Sequence, residues 1–176
     1  MLGTLDAILI FLVGQKGQSG YDIRQLFQST PLGTFSDSPG SIYPSLARLE
    51  ARGLLSSAVV AGGRRRRGYK RTAEGEKALR SWLAAPIEPD DVRRRPSEIE
   101  LRFVMIAEAS GWSAAVRFLT LVEAAFAAQL EGLETFLAGP GAAMSRASRS
   151  TVDLGIRICR LRIKWCRDVR HGSRRR

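Results

Sequence analysis

Residues 38–55 read SPGSIYPSLARLEARGLL, and the fold of the N-terminal half turns on them. Ile42, Leu46 and Leu49 recur at i, i+4 and i+7, which gives a helix one apolar side. Ser41, Ser45, Arg48 and Arg52 recur at the same spacing on another side, hydroxylic at its start and basic at its end. Ser38 and Ser41 are both N-cap residue types. Pro44 favours Ser41, because the proline then falls in the first turn, where its missing N–H is least costly. Gly53 supplies the stop. Hydroxyls at the start of a helix and arginines further along suit a DNA major groove. The plainer alternative is an amphipathic helix with solvated charges.

Working outward, residues 2–14 form a helix with Leu5, Ile8, Leu9 and Leu12 as its stripe and Asp6 off it. A second helix opens after Ser19-Gly20 and carries Tyr21, Ile23, Leu26 and Phe27. Three short helices cannot bury their faces separately, so they are expected to pack as a helix-turn-helix. Beyond Leu55 two runs flank Gly62-Gly63, a hairpin dipeptide. The predicted two-stranded antiparallel ribbon holds Arg64, Arg65, Arg66, Arg67, Lys70 and Arg71 at its tip and return arm. Charges this dense repel one another, and phosphates would neutralise them with counterion release. The alternative is a solvated basic loop. Thr72 caps a helix with Ala78, Leu79, Trp82 and Leu83 inward.

Residues 86–96, PIEPDDVRRRP, are predicted to be a linker between a domain over 1–85 and another over 97–176. Arg93, Arg94 and Arg95 either touch DNA or solvate that linker. The second domain reads as helix throughout, over about 97–109, 113–138 and 143–170. The last helix carries three rows. Leu154, Ile158, Leu161 and Trp165 make one apolar seam. Val152, Ile156, Cys159, Ile163 and Cys166 make a second, and Arg157, Arg160, Lys164 and Arg167 a basic third. With two seams, one packs on its own subunit and the other on a partner, which is the basis for a symmetric dimer through Leu154, Ile158, Leu161 and Trp165. The alternative is the central helix of a monomer.

Lys and Arg number 28 against 17 Asp and Glu, a net charge of +11, which suggests a polyanionic partner, most simply double-stranded DNA. The excess is spread along the chain: residues 1–85 hold 12 basic and 6 acidic residues, and residues 97–176 hold 13 and 8. Cys159 and Cys166, seven apart with no partner cluster, give neither a metal signature nor a disulfide framework. They read as small hydrophobes, with a redox role as the alternative. The apolar start lacks a basic leader and contains Asp6, and no apolar run is expected to reach a membrane span, so a soluble cytoplasmic protein without a membrane partner is predicted. His171 stands alone among arginines in a tail expected to be disordered. No catalytic constellation, metal pattern or cofactor motif is read, which excludes an enzyme at this level.

These segments together resemble the PadR family of transcriptional regulators. MLGTLDAILIFLVGQKGQSGYDI resembles its opening helix and the following helix with Gly20-Tyr21. The segment quoted first is similar to the family's most diagnostic stretch, here Gly40, Ser41, Ile42, Tyr43, Pro44, Leu49, Glu50, Gly53 and Leu54. RRRRGYKRTAEGEKAL is similar to its wing and next helix, through Tyr69, Thr72 and Gly75. The chain after Ser97 resembles the longer helical region of some members. The resemblance implies a mainly α fold: a winged helix-turn-helix with a helical dimerisation domain, binding operator DNA as a homodimer, usually as a repressor. By position it implies DNA contacts from Tyr21, Ser38, Gly40, Ser41, Tyr43, Ser45 and Arg48, then Arg64, Arg65, Arg66, Arg67, Tyr69 and Lys70. Tyr43 has a second reading, in which its ring packs on the preceding helix and only its hydroxyl reaches a phosphate. Gly68 stands where a second aromatic is common, and Arg71 where an apolar residue is usual. A small aromatic effector would fit a dimer cavity at Trp165. The competing class is a non-enzymatic winged-helix adaptor for an acidic protein.

Overall fold

The computed structural model describes residues 2–14, 18–35, 39–60 and 66–172, apart from the side chains of Pro39, Val60 and Arg66. The chain divides into two compact units, Met1–Ala85 and Pro86–Arg176.

In the first unit, α1 (Thr4–Val13) packs against α2 (Gly20–Ser29), α3 (Pro39–Ala51) and α4 (Ala73–Leu83). Neighbours on several sides bury Ala7, Ile8, Leu9, Ile10 and Val13, more than the single stripe expected, while Leu5 and Leu12 are only half-buried. Asp6, expected off the stripe, is buried too. Ser19 starts α2 with a capping box: its Oγ accepts from the Asp22 N–H at 3.2 Å, and the Asp22 carboxylate accepts from the Ser19 N–H at 3.1 Å. Ile23 and Phe27 point into the core. One turn of 3-10 helix (Pro31–Phe35) follows. The helix quoted first begins at Pro39, ahead of the start expected from Ser41 as cap. Pro39 is itself a favourable first helical residue, so Pro44 lies inside the helix, on its exposed side. Ile42, Leu46 and Leu49 are fully buried, as their spacing predicts.

The sheet has three antiparallel strands in the order β1 (Gln18–Ser19), β3 (Arg66–Arg71), β2 (Leu55–Val60), where two were expected. β1 is two residues long, too short to show an alternation in sequence, and pairs Gln18 with Tyr69 and Ser19 with Gly68. Arg71 resolves its departure from the family pattern. Its Nε lies 2.7 Å from Glu76, and its N–H donates to Gly14 O. Thr72 then caps α4, accepting from the Gly75 N–H and donating to Gly53 O and Leu54 O.

The second unit opens with a helix where a linker was expected: α5 (Pro89–Arg94). Pro89 starts it, the Glu88 N–H donates to Asp91, and Arg93 and Arg95 pair with Asp90 and Asp91. A charge run that reads as solvated linker is thus a set of i,i+3 and i,i+4 pairs. α5 packs on α6 (Pro96–Ser110) and α7 (Trp112–Ala138), and α7 packs on α8 (Arg146–Gly172). Ile99, Met105 and Ile106 of α6, Leu119, Val122 and Phe126 of α7, and Ile156, Ile163 and Cys166 of α8 are all buried. Arg102 is buried over the Phe118 ring, and burial pulls its pKa down against the opposing pull of Asp91 and Glu98. The basic row of α8 is joined to α7: Arg160 pairs with Glu134, and Arg167 and Arg170 with Glu123. Against the sequence expectation, α7 is long and apolar enough to cross a membrane by length and composition. One of its flanks carries these ion pairs.

Candidate nucleic-acid interface

Opposite its buried stripe, α3 exposes Gly40, Tyr43, Pro44, Ala47 and Ala51, one continuous row of small, cyclic and aromatic residues. The hydroxyl-and-arginine flank expected to face the groove is not that row. Ser45 is 3% exposed and Ser41 half-buried, because this flank borders the apolar stripe and meets α1. Arg48 Nη2 donates both to Asp6 Oδ1 at 2.7 Å and to Ser45 Oγ at 3.0 Å. Arg52 Nη1 lies 3.6 Å from Asp6 Oδ2. Both arginines remain about half-exposed while sharing one buried carboxylate.

Both readings of Tyr43 have a structural counterpart. Its ring lies on the N-terminus of α2, so close that a Cβ on Gly20 would come 2.7 Å from Cε1. The side chain is nevertheless exposed. Tyr21, also exposed, accepts a hydrogen bond from Gln25 Nε2 at 2.8 Å. Arg24, Gln25 and Gln28 complete an exposed polar face on α2 that sequence reasoning did not single out. The signal was present as the residues between Ile23 and Phe27.

On the wing, Glu50 of α3 accepts from Ser57 Oγ of β2 at 2.6 Å and pairs with Arg67 of β3 at 3.4 Å. One carboxylate thus ties the exposed helix to both arms of the ribbon. Lys70 is exposed. Tyr69, expected at the DNA, is 6% exposed: with Arg67 and Arg71 it takes the face of β3 that turns toward the helices. Ser38, Arg64, Arg65 and the Gly62-Gly63 turn lie outside the described residues, as does the side chain of Arg66.

In the second unit Leu154 and Leu161 are 56% and 66% exposed, and Ile158 also faces solvent. Trp165 is half-buried, edge-on to Phe103 at 5.5 Å, and Phe103 is edge-on to Trp112 at 5.8 Å. The other seam is inside, where burial pushes both thiols up, Cys166 to about 11 with Glu123 adding to the shift. Protonated, buried thiols are poor nucleophiles, which weighs against a redox role. Among the described residues no group of three His, Cys, Asp or Glu side chains is placed to hold a metal ion.

A three-helix unit with an antiparallel ribbon after its third helix defines a winged helix-turn-helix, a DNA-binding class of fold. Residues 8–81, fewer than half of the chain, match the transcriptional regulator PadR-like family. The Mycobacterium tuberculosis transcriptional regulator Rv3488 is 56% identical over 43 residues, 24% of this chain. That match spans 40% of the relative's length. Among solved structures, Bacillus subtilis PadR in complex with operator DNA is 22% identical, with 98% of each chain covered and a TM-score of 0.45. The PadR-like regulator BC1756 of Bacillus cereus is 21% identical, covering 98% of this chain and 99% of that one, with a TM-score of 0.42.

Proposed function

We propose that this chain is a non-catalytic, homodimeric transcriptional repressor that acts in the cytoplasm on an inverted-repeat operator. The observation that carries the reading is the row Gly40, Tyr43, Pro44, Ala47 and Ala51, exposed beside the polar face of α2 and tied to the ribbon through Glu50. Small side chains let the helix approach base edges closely, and alanine suits the thymine methyl group. Tyr21, Gly40 and Tyr43 are the groove-facing residues of this proposal. Arg48, Arg67 and Lys70, together with Arg64, Arg65 and Arg66, serve the phosphates. Ser45 and Tyr69 drop out as buried.

The N-terminal unit is the DNA-binding domain of this reading and the second unit its dimerisation domain. The exposed row Leu154, Ile158 and Leu161, continued by Trp165, supports a second copy as the partner. The half-exposed Trp112, leading through Phe103 to Trp165, supports a small planar aromatic effector there. The test is selection of bound sites from random DNA followed by footprinting. The expected product is an inverted repeat with half-sites about 34 Å apart, or a multiple of that. A single asymmetric half-site overturns the dimeric reading, and failure to enrich any sequence overturns the regulator.

A further inference from the structure

Asp6 takes no part in the exposed row, yet it governs the cations that flank it. It lies in the first turn of α1, 7% exposed, and its partners come from α3. A buried carboxylate requires pairing, and Arg48 and Arg52 provide it. The atom used on Arg48 is decisive. A guanidinium offers two two-point forks, Nη1 with Nη2 and Nε with Nη2, and both use Nη2. In Arg48 the two hydrogens of Nη2 are matched by two acceptors, Asp6 Oδ1 at 2.7 Å and Ser45 Oγ at 3.0 Å. Neither fork reaches a guanine edge unless one of these bonds breaks. What Arg48 presents outward is single donors on a half-exposed side chain, which suits a phosphate oxygen.

We propose that Asp6 is a specificity-determining positioning residue: by occupying Arg48 Nη2 it confines Arg48 to backbone contacts, and it holds Arg52 beside it. Base reading is thereby left to the Gly40–Ala51 row of α3. This rests on the DNA-binding reading above. It also narrows the sequence-based expectation of a DNA contact from Arg48 to the phosphate backbone. Without Asp6 the two guanidiniums would be released toward any duplex, and a negative charge near the phosphates would be lost. Asp6 therefore acts against indiscriminate binding.

The test measures dissociation constants over a salt series for two probes. One is a duplex recovered by selection with the wild-type protein, and the other an unselected duplex of equal length. Arg48→Lys and Arg48→Ala are expected to keep the ratio of the two constants within about twofold, and Arg48→Ala to lower the salt slope by about one. Asp6→Asn is expected to tighten the unselected duplex several-fold and narrow the ratio, and Arg48→Ala in the same chain to cancel that narrowing. Loss of the selected duplex alone, by about fivefold or more in either Arg48 variant, is the mark of a fork on a base and overturns the proposal. So does an unchanged ratio in an Asp6→Asn protein that melts cooperatively. Should Asp6→Asn not fold, the Arg48 pair decides by itself. Absence of salt-dependent DNA binding by the wild type is a different result, and it removes the regulator reading instead.

Discussion

The ring of Tyr43 rests on Gly20: a methyl group at Gly20 would stand 2.7 Å from Tyr43 Cε1 and 3.4 Å from Leu46 Cδ1. The absence of a side chain at the start of α2 thus sets where the aromatic side chain of α3 stands. Gly20→Ala is expected to turn the ring outward, since its other side meets solvent. Stability should change by no more than about 1 kcal/mol, because the better helix former offsets the crowding. Affinity for a selected duplex should fall several-fold. Thermal melts and fluorescence anisotropy check the two, and unaltered affinity would show that Tyr43 does not set the interface.

Glu50 holds the ribbon to α3 through Ser57 and Arg67. Glu50→Ala should cost about 1 kcal/mol, mostly through the Ser57 bond, since the Arg67 pair is exposed to solvent. Its clearer effect is local: amide exchange in Leu55–Val60 and Arg66–Arg71 should accelerate while that of α1 does not. Hydrogen exchange by mass spectrometry distinguishes this from uniform loosening.

Glycines of opposite character give a paired prediction. A Cβ on Gly75 would lie 2.1 Å from the Leu54 carbonyl oxygen, where backbone must give way. Gly75→Ala should destabilise the protein by about 2 kcal/mol or more. Gly132, within α7, has open space around its Cβ direction. Gly132→Ala should stabilise by about 0.5–1 kcal/mol. Urea midpoints for the two variants, moving in opposite directions, are the check.

Cys166 carries a pH dependence. Its pKa rises from 9.0 to about 11 in the fold, chiefly through burial, so the folded state keeps its proton where the unfolded chain gives it up. Stability is intact below pH 9 and declines toward pH 11, by about 2 kcal/mol for this group. Urea titrations across that window should show the decline in wild type and a shallower one in Cys166→Ala. Thiol reagents at pH 8 should label both cysteines only after denaturation.

The outer row of α8 predicts assembly. Leu154→Lys with Leu161→Lys, both at exposed positions, should leave helicity unchanged and shift the protein to monomer in sedimentation. Persisting dimers would place the contact elsewhere.

Periodic apolar residues were legible from sequence: Ile42, Leu46 and Leu49 are buried as their spacing says, and Thr72 caps α4. So was the division of α8 into a buried row through Cys159 and Ile163 and an exposed one through Leu161. What failed was the orientation of polar side chains bordering an apolar stripe. Ser45 looked outward because serine usually does, yet it is buried, and Arg48, though half-exposed, has its Nη2 turned to protein partners. Ser45 Oγ accepts from Arg48, and the other partner of Arg48, Asp6, stands 42 residues away, a meeting that no local spacing encodes. Tyr69 failed for a related reason, since an aromatic in a basic run reads equally as contact or as core. The helix over Pro89–Arg94 was hidden because prolines and charges signal both linkers and capped helix starts.

The exposed row of α8 has a consequence for how ionic strength acts. The proposed partner surface on α8, the row through Leu154, Ile158 and Leu161, is apolar, and salt does not screen apolar adhesion. The proposed phosphate contacts of the ribbon would weaken as counterions compete. A single potassium chloride titration should therefore strip the nucleic acid first and leave the protein dimer whole, so that release and dissociation are observed as separate events.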